Sequence, residues 1–293
     1  MAKKIFIGNY KGGVGKTTFA YNMGCILRKR KKRVLMIDLD PQSSLSEICY
    51  NAINDDEAFS KLPDDETLNH VIDIYYKAGE EGIYEELNFD IDKLIKDNKK
   101  VKFIPSSYLY KDGGLDIQCL NMQRKVNDVM MMKRFIEHSK LEEKFDYIIF
   151  DCPPSNNIIT LAAFLVSNYY IIPTIMDSIS TNGISHYKEL LDKFYKKYLN
   201  GKDDVVEVTF GKQPTLLGVF EYRKKKQVNT DKFRQKIKQK YRLFDTVIYD
   251  YKEISDNLEA GNESSKEEFT KLVDEIEERI NSIEGNQNEK SYW

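Results

Sequence analysis

The sequence predicts an α/β fold: a doubly wound, mostly parallel sheet flanked by helices. Three observations carry this. Short apolar, β-branched runs recur along the 293 residues, most of them ending in glycine, proline or aspartate. Segments with helical spacing alternate with them. The first run leads through a glycine-rich loop straight into the first helical segment. Such alternation needs crossover connections, which make neighbouring strands parallel and cover both sheet faces.

The elements follow in order. Residues 4–8 (KIFIG) read as a buried strand stopped by glycine, and 17–30 as a helix. A second strand at 33–38 closes on Asp38-Leu39-Asp40-Pro41. Residues 51–100 are rich in Asp, Glu and Asn, and are expected as loops and helices at the sheet edge. Further strands are expected at 102–105, 147–151, 169–173 and 216–220, with helices at 122–139, 158–166, 183–199, 230–241 and 264–283. Residues 1–283 then form one domain, and 284–293 a polar, frayed tail.

Composition narrows the function classes. With 41% hydrophobic residues, 19 Tyr and 15 Phe, the chain can build a large core and is not disordered throughout. No run approaches the ~20 apolar residues of a membrane span, and the first residues lack a signal-peptide pattern. Cys25, Cys49, Cys119 and Cys152 show neither disulfide-scaffold nor zinc spacing. A soluble, cytoplasmic protein is expected. The net charge of −2 hides a segregation: residues 222–242 hold ten bases and one acid, and 253–289 hold twelve acids and three bases. A near-neutral chain can therefore still present a local surface for polyanions.

The strongest chemical signal is Lys11-Gly12-Gly13-Val14-Gly15-Lys16-Thr17-Thr18. It matches the second half of the G-x-x-x-x-G-K-[ST] loop, with Tyr10 standing where the first glycine would be. Glycines let backbone N–H groups face a polyphosphate, and the following helix adds its positive end. In that geometry Lys16 meets the β- and γ-phosphates, and the Thr17 hydroxyl meets Mg²⁺. An incidental glycine-rich turn is the competing reading; strand before, helix after and GKTT argue against it.

This run resembles the deviant Walker A loop of the ParA/MinD ATPases, whose mark is an extra lysine, here Lys11. Asp38-Leu39-Asp40-Pro41-Gln42 resembles that family's segment after strand two, Asp151-Cys152-Pro153-Pro154-Ser155 its Walker B segment, and 173–183 its nucleotide-side loop. The resemblance runs from about residue 3 to 280. It implies a P-loop NTPase fold of the deviant Walker A type, with ATP and Mg²⁺ as ligands and weak basal ATP hydrolysis. By the same resemblance Gly12, Gly13, Val14, Gly15, Lys16, Thr17 and Thr18 cradle phosphates. Lys11 reaches across a homodimer to the partner's nucleotide, Asp40 orients the attacking water, Asp38 lies near Mg²⁺, and Asp151 holds Mg²⁺ through water. Two stretches depart from the family: Asn156-Asn157, and Gly218-Val219-Phe220-Glu221-Tyr222, which leaves the adenine pocket undefined.

The resemblance is closest to partition ATPases without an N-terminal helix-turn-helix. That implies ATP-dependent DNA segregation over the nucleoid, non-specific DNA binding, and stimulation by a centromere-binding adaptor of the ParB kind. Arg223, Lys224, Lys225, Lys226, Arg234, Lys236 and Lys238 are the expected DNA contacts, with Phe233, Ile237 and Tyr241 as the buried stripe of the basic helix. A solvated lysine-rich face is the plain alternative. Two other functions compete. A MinD-like membrane switch would want a basic C-terminal helix, whereas this one is acidic. An iron-protein reductase would need Cys119 and Cys152 to hold a cluster. Met130, Met131 and Met132 are expected in the core, and His70, His138 and His186 show no metal spacing.

Overall fold

A computed structural model describes residues 1–53, 59–82, 87, 89–111, 113–122, 125–197 and 209–290. Its strands are β1 (Lys3–Ile7), β2 (Val34–Asp38), β3 (Lys96–Asp97), β4 (Lys102–Ile104), β5 (Tyr147–Asp151), β6 (Tyr169–Thr174), β7 (Thr215–Lys224) and β8 (Leu243–Tyr249). They form one sheet in the order β3-β4-β2-β5-β1-β6-β7-β8, parallel throughout except for the β3–β4 pair at the edge. β2 and β5 are buried along their whole length, as expected of strands covered on both faces.

The helices are α1 (Lys16–Lys29), α2 (Ser44–Asn51), α3 (Leu68–Glu81), α4 (Ile91–Leu94), α5 (Leu115–Asn121), α6 (Val126–His138), α7 (Leu141–Lys144), α8 (Ile158–Val166), α9 (Ser178–Lys197), α10 (Asp231–Lys238), α11 (Lys252–Glu259) and α12 (Glu267–Lys290). Two apolar layers sandwich the sheet. One gathers side chains of α3, α6, α8 and α9 around Phe6, Phe150 and Tyr170. The other packs α1 and α12 over Ile5, Ile149 and Phe220. Met131 and Met132 lie in the first layer as expected, whereas Met130 is only half-buried and outside it.

Several boundaries differ from the sequence expectation. β8 was not anticipated: its Asp245 and Thr246 break the apolar run, and its register against β7 shifts on both sides of Glu221. Residues 68–81 form a full helix capped by Thr67, whose hydroxyl accepts from the His70 N–H. α9 begins at 178 rather than 183, because Asp177 Oδ1 accepts the Ser180 N–H at 2.7 Å and starts the helix earlier. Of the expected frayed tail at 284–293, residues 284–290 continue the helix, and 291–293 lie outside the described residues. Glu284 holds it to the sheet through Lys3 (3.3 Å) and the Tyr169 hydroxyl (3.1 Å). Phe269, Leu272, Val273, Ile276 and Ile280 on this helix are fully buried, so its apolar face is spent on the core.

Candidate nucleotide-binding site

The glycine-rich loop leaves the carboxyl end of β1, a central strand, and winds into α1. Asn9 shapes it from below: its amide donates to the Pro173 carbonyl at 2.7 Å and its Oδ1 accepts the Lys11 N–H at 3.1 Å. Gly13 and Gly15 adopt φ of 70° and 85°, where a side chain costs about 1–2 kcal/mol. A Cβ on Gly15 would also lie 2.6 Å from the Tyr222 ring, whereas one on Gly12 or Gly13 would meet nothing within 4 Å. The loop is therefore tight underneath and open above. α1 starts without a side-chain cap or an acidic residue in its first turn, so its leading N–H groups have no side-chain acceptor. That is a ready anion site.

Lys16 is 6% exposed, and its ammonium donates to the Lys11 carbonyl at 3.3 Å. Burial pushes its pKa down, while Asp151, Asp40 and Cys152 pull it back up. Asp38 and Asp151 stand side by side on β2 and β5, in register and both fully buried. Burial, with the neighbouring carboxylates, raises Asp38 to about 7 and holds Asp151 well above the ordinary carboxylate value.

The two carboxylates differ in what occupies them. Asp38 Oδ2 accepts from Ser46 N (2.9 Å) and Ser46 Oγ (2.6 Å), and Oδ1 accepts from Asp40 N (3.0 Å). It thereby ties the turn at Asp40 and the first turn of α2 to the end of β2, next to Asp151. Neither oxygen of Asp151 has a hydrogen-bond partner of good geometry, although the Thr17 hydroxyl and the Lys16 ammonium lie near enough to draw its pKa back down. A buried carboxylate so weakly satisfied, beside Thr17, Lys16 and the start of α1, fits a hydrated divalent cation shared with phosphate. Asp40 is half-buried on the same rim, its backbone carbonyl held by Ser106 Oγ.

Lys11 turns toward its own chain. Its ammonium donates to Asp177 Oδ2 at 2.7 Å and to Ser180 Oγ at 2.8 Å, at the start of α9. Burial pushes the Asp177 carboxyl up, but Lys11 and the Ser180 N–H outweigh it and hold the group below its usual value. Tyr10, in the place of the missing glycine, stacks on His186 (5.9 Å) and meets Tyr187 edge-on (4.9 Å).

The base pocket has no signature in the sequence, and the structure supplies a candidate. A cavity of about 190 Å³ beside the loop is lined by Gly13, Gly15, Thr18, Tyr222, Arg223 and Tyr251 among others. The Tyr222 hydroxyl reaches Thr18 Oγ1 at 3.3 Å. Arg223 sits in the left-handed region (φ 56°) and pairs with Asp250 at 3.0 Å. The missing signal was spatial: these residues come from the exits of β7 and β8, and β8 was not foreseen. Asn157 has a local role as the cap of α8, accepting the Thr160 N–H at 2.8 Å.

The basic stretch divides. Lys225 and Lys226 are exposed and Lys224 is half-buried, all at the carboxyl end of β7 on the same side as the loop. Arg234 turns inward, against the expectation of a solvated DNA contact. It pairs at 2.9 Å with Glu221, which is 1% exposed, and donates to the carbonyls of Phe244 and Asp245. Lys236 donates to Asn182 and Lys238 pairs with Asp245, both remaining exposed. Ile237 is buried and Phe233 and Tyr241 partly so, as the stripe required. Cys152 is fully buried, which removes it as a cluster ligand at a surface.

A family model described as an AAA domain, AAA_31, matches residues 2–204. The sporulation initiation inhibitor protein Soj of Bacillus subtilis is 32% identical over 203 residues, 68% of each chain. A ParA family protein of the Chlamydia psittaci virulence plasmid is 30% identical over 64% of this chain and 62% of its own. An uncharacterized Pseudomonas putida protein is 28% identical over 63% of this chain, and the match spans only 60% of that relative's length. Among solved structures, apo McdA of Cyanothece superposes with a TM-score of 0.70 at 20% identity, covering 96% of this chain and 100% of its own. A plasmid partition protein of Borrelia burgdorferi bound to AMPPNP gives 0.66 at 23%, over 96% and 98%. These two show a shared fold. The basic stretch lies beyond the residues the family model matches.

Proposed function

The chain belongs to the AAA_31 family as a ParA/MinD-type ATPase, and from that premise we propose that it binds ATP with Mg²⁺, closes into a homodimer around the nucleotide and hydrolyses it to segregate or position a cargo over DNA. The observation that carries this reading is the loop itself, whose open Gly12 and Gly13 and uncapped helix start face the buried Lys16 and the poorly satisfied carboxylate of Asp151.

Each residue then has a task. The N–H groups of 12–18 take the phosphate oxygens, and the Lys16 ammonium neutralises charge on the β/γ side. Thr17 and Asp151 would hold Mg²⁺, which when bound draws charge from the transferring phosphoryl group. Asp40, on the rim next to Lys16, orients the attacking water. Tyr222 and Tyr251 offer aromatic faces to the base. Lys11 serves the partner's nucleotide once the two carboxyl-end faces meet. Lys224, Lys225 and Lys226, with Lys236 and Lys238, bind DNA phosphates without reading sequence. A ParB-like adaptor stimulates hydrolysis, and the nucleoid is the site of action.

A membrane-positioning role is less favoured, because α12 buries its apolar face and no described helix is long and apolar enough to cross a membrane. The test is DNA binding with ADP, ATP and a slowly hydrolysed analogue at two salt concentrations. ATP-dependent, sequence-independent and salt-sensitive binding supports the reading; liposome sedimentation with ATP and no DNA binding would replace it.

A further inference from the structure

Residues 28–33 read Arg-Lys-Arg-Lys-Lys-Arg, six bases in a row that the nucleotide site does not use. They connect the end of α1 to β2, at the amino ends of the strands and so at the opposite pole from the loop. The structure commits four of them to acids. Arg28 pairs with Asp97 (3.1 Å), Lys29 with Glu263, Arg30 with Asp274 and Glu277 (2.5 Å each), and Arg33 with Asp146 (2.7 Å). Lys31 and Lys32 are exposed and make no ion pair among the described residues.

Lys32 is not isolated. It borders a cavity of about 410 Å³ that Arg28, Arg33, Lys102 and Lys144 also line. Lys102 opens β4 and Lys144 closes α7 just before β5, so three separate crossovers bring their cations to one hollow. Both lysines are exposed and free of ion pairs among the described residues. The acids nearby are Asp92 in the lining and Asp97 and Asp146, each already holding an arginine. Five cations against three acids leave a net charge of about +2, concentrated in one concave surface. A hollow of one sign focuses the field and gathers counter-charge.

We propose that this hollow is a second contact for the phosphates of duplex DNA, facing away from the contact at 224–226. The inference rests on the DNA-binding reading above. Three lysines without an ion pair among the described residues, Lys32 lying near Asp146, around two arginines held in place by aspartates suit a repeating anionic backbone: the arginines give fixed forks, and the lysines mobile point charges. The contact at 224–226 lies at the carboxyl end of β7 and this one at the amino ends of β2, β4 and β5. One molecule can therefore engage two duplexes, and a dimer joined at its carboxyl-end faces carries a hollow at each far end.

The test uses the full chain with ATP, one duplex on beads and a second, labelled duplex in solution. In the triple variant Lys32→Glu, Lys102→Glu, Lys144→Glu, capture of the labelled duplex should fall at least several-fold while basal ATP turnover stays unchanged. The slope of log affinity against log salt should flatten by about 3, at roughly 0.9 per phosphate lost. The corresponding triple Gln variant, which avoids new negative charge, should show a smaller loss in the same direction. Unchanged capture and slope in both variants overturns the proposal. So does inorganic tripolyphosphate binding that the variants abolish without any change in DNA capture, since the hollow would then serve a small phosphorylated ligand. If the unmodified chain binds no DNA in any nucleotide state, the functional reading falls together with this one.

Discussion

The Lys11 ammonium lies 2.7 Å from Asp177 Oδ2, so the loop's extra cation is held by its own chain. The same carboxylate starts α9 through its other oxygen, which accepts the Ser180 N–H. Both side chains are more than a third exposed, and such pairs contribute roughly 0.2–1 kcal/mol. The hold is therefore one that a second nucleotide can break.

Asp177→Asn keeps a good helix cap but drops the charge. The ATP concentration giving half-maximal dimer should fall about two- to five-fold, matching that pair energy. Lys11→Ala should still bind ATP yet dimerise poorly. Light scattering across an ATP titration checks both; weaker dimerisation by Asp177→Asn would show that the contact assists assembly rather than restraining it.

Lys16→Ala should lose ATP binding by at least tenfold without losing the fold, since a lysine whose charge is disfavoured by burial contributes little to stability. A fluorescent ATP analogue and a melting curve separate the two effects. Undiminished turnover would remove Lys16 from the mechanism.

Asp151→Asn should abolish Mg²⁺-dependent turnover and raise the melting temperature of the nucleotide-free chain at pH 7.5. Burial disfavours the charged form of Asp151 more than Thr17 and Lys16 compensate, so keeping that carboxyl ionised in the fold costs stability that the neutral amide does not. The sign follows from the shifts: burial raises Asp38 to about 7 and Asp151 well above its ordinary value. The folded state then holds protons that the unfolded state has released. Stability is full below the unfolded carboxylate value, near 4, and falls as pH rises through the raised folded values. The gain from Asp151→Asn should accordingly shrink toward pH 5; a gain independent of pH would point to packing instead.

Arg234→Ala should destabilise the chain by about 3–5 kcal/mol, because it leaves Glu221 charged and buried without its partner. Lys225→Glu with Lys226→Glu should leave the melting curve unchanged and weaken binding to every duplex about equally. Urea unfolding paired with DNA titration tells structural from ligand-facing cations. An Arg234→Ala chain of normal stability would return that residue to the DNA surface.

The central strands and the loop were legible because their signals are local: β5 occupies the very residues its apolar run suggested. α3 was also within reach, since Leu68, Val71, Ile72, Tyr75 and Ala78 share one face at helical spacing and are buried. Its acidic, Asn-rich surroundings masked that stripe. What could not be seen was partnership across the chain. Helical spacing sets Arg234 nearer the buried stripe than Lys236, but nothing local reveals that Glu221 on β7 waits for Arg234 while Lys236 stays exposed. The same holds for Asp38 and Asp151, two strand-end aspartates distinguished by whether Ser46 and the Asp40 N–H reach them.

Helix α9 carries a mechanical consequence. Its first turns are gripped from the nucleotide loop by Lys11 at Ser180 and by Tyr10 at His186. Between those two points Asn182 receives Lys236, and Ser185 receives the Tyr241 hydroxyl, both from the second half of the basic segment. Ser180 and His186 are six residues apart, or about 9 Å at 1.5 Å per residue, too short a span of helix to absorb much strain by bending. When Lys11 lets go, the rod and the basic segment must shift as one piece or part company at two hydrogen bonds. A crosslink or spin-label pair between residues 182 and 236 would time that choice against ATP binding.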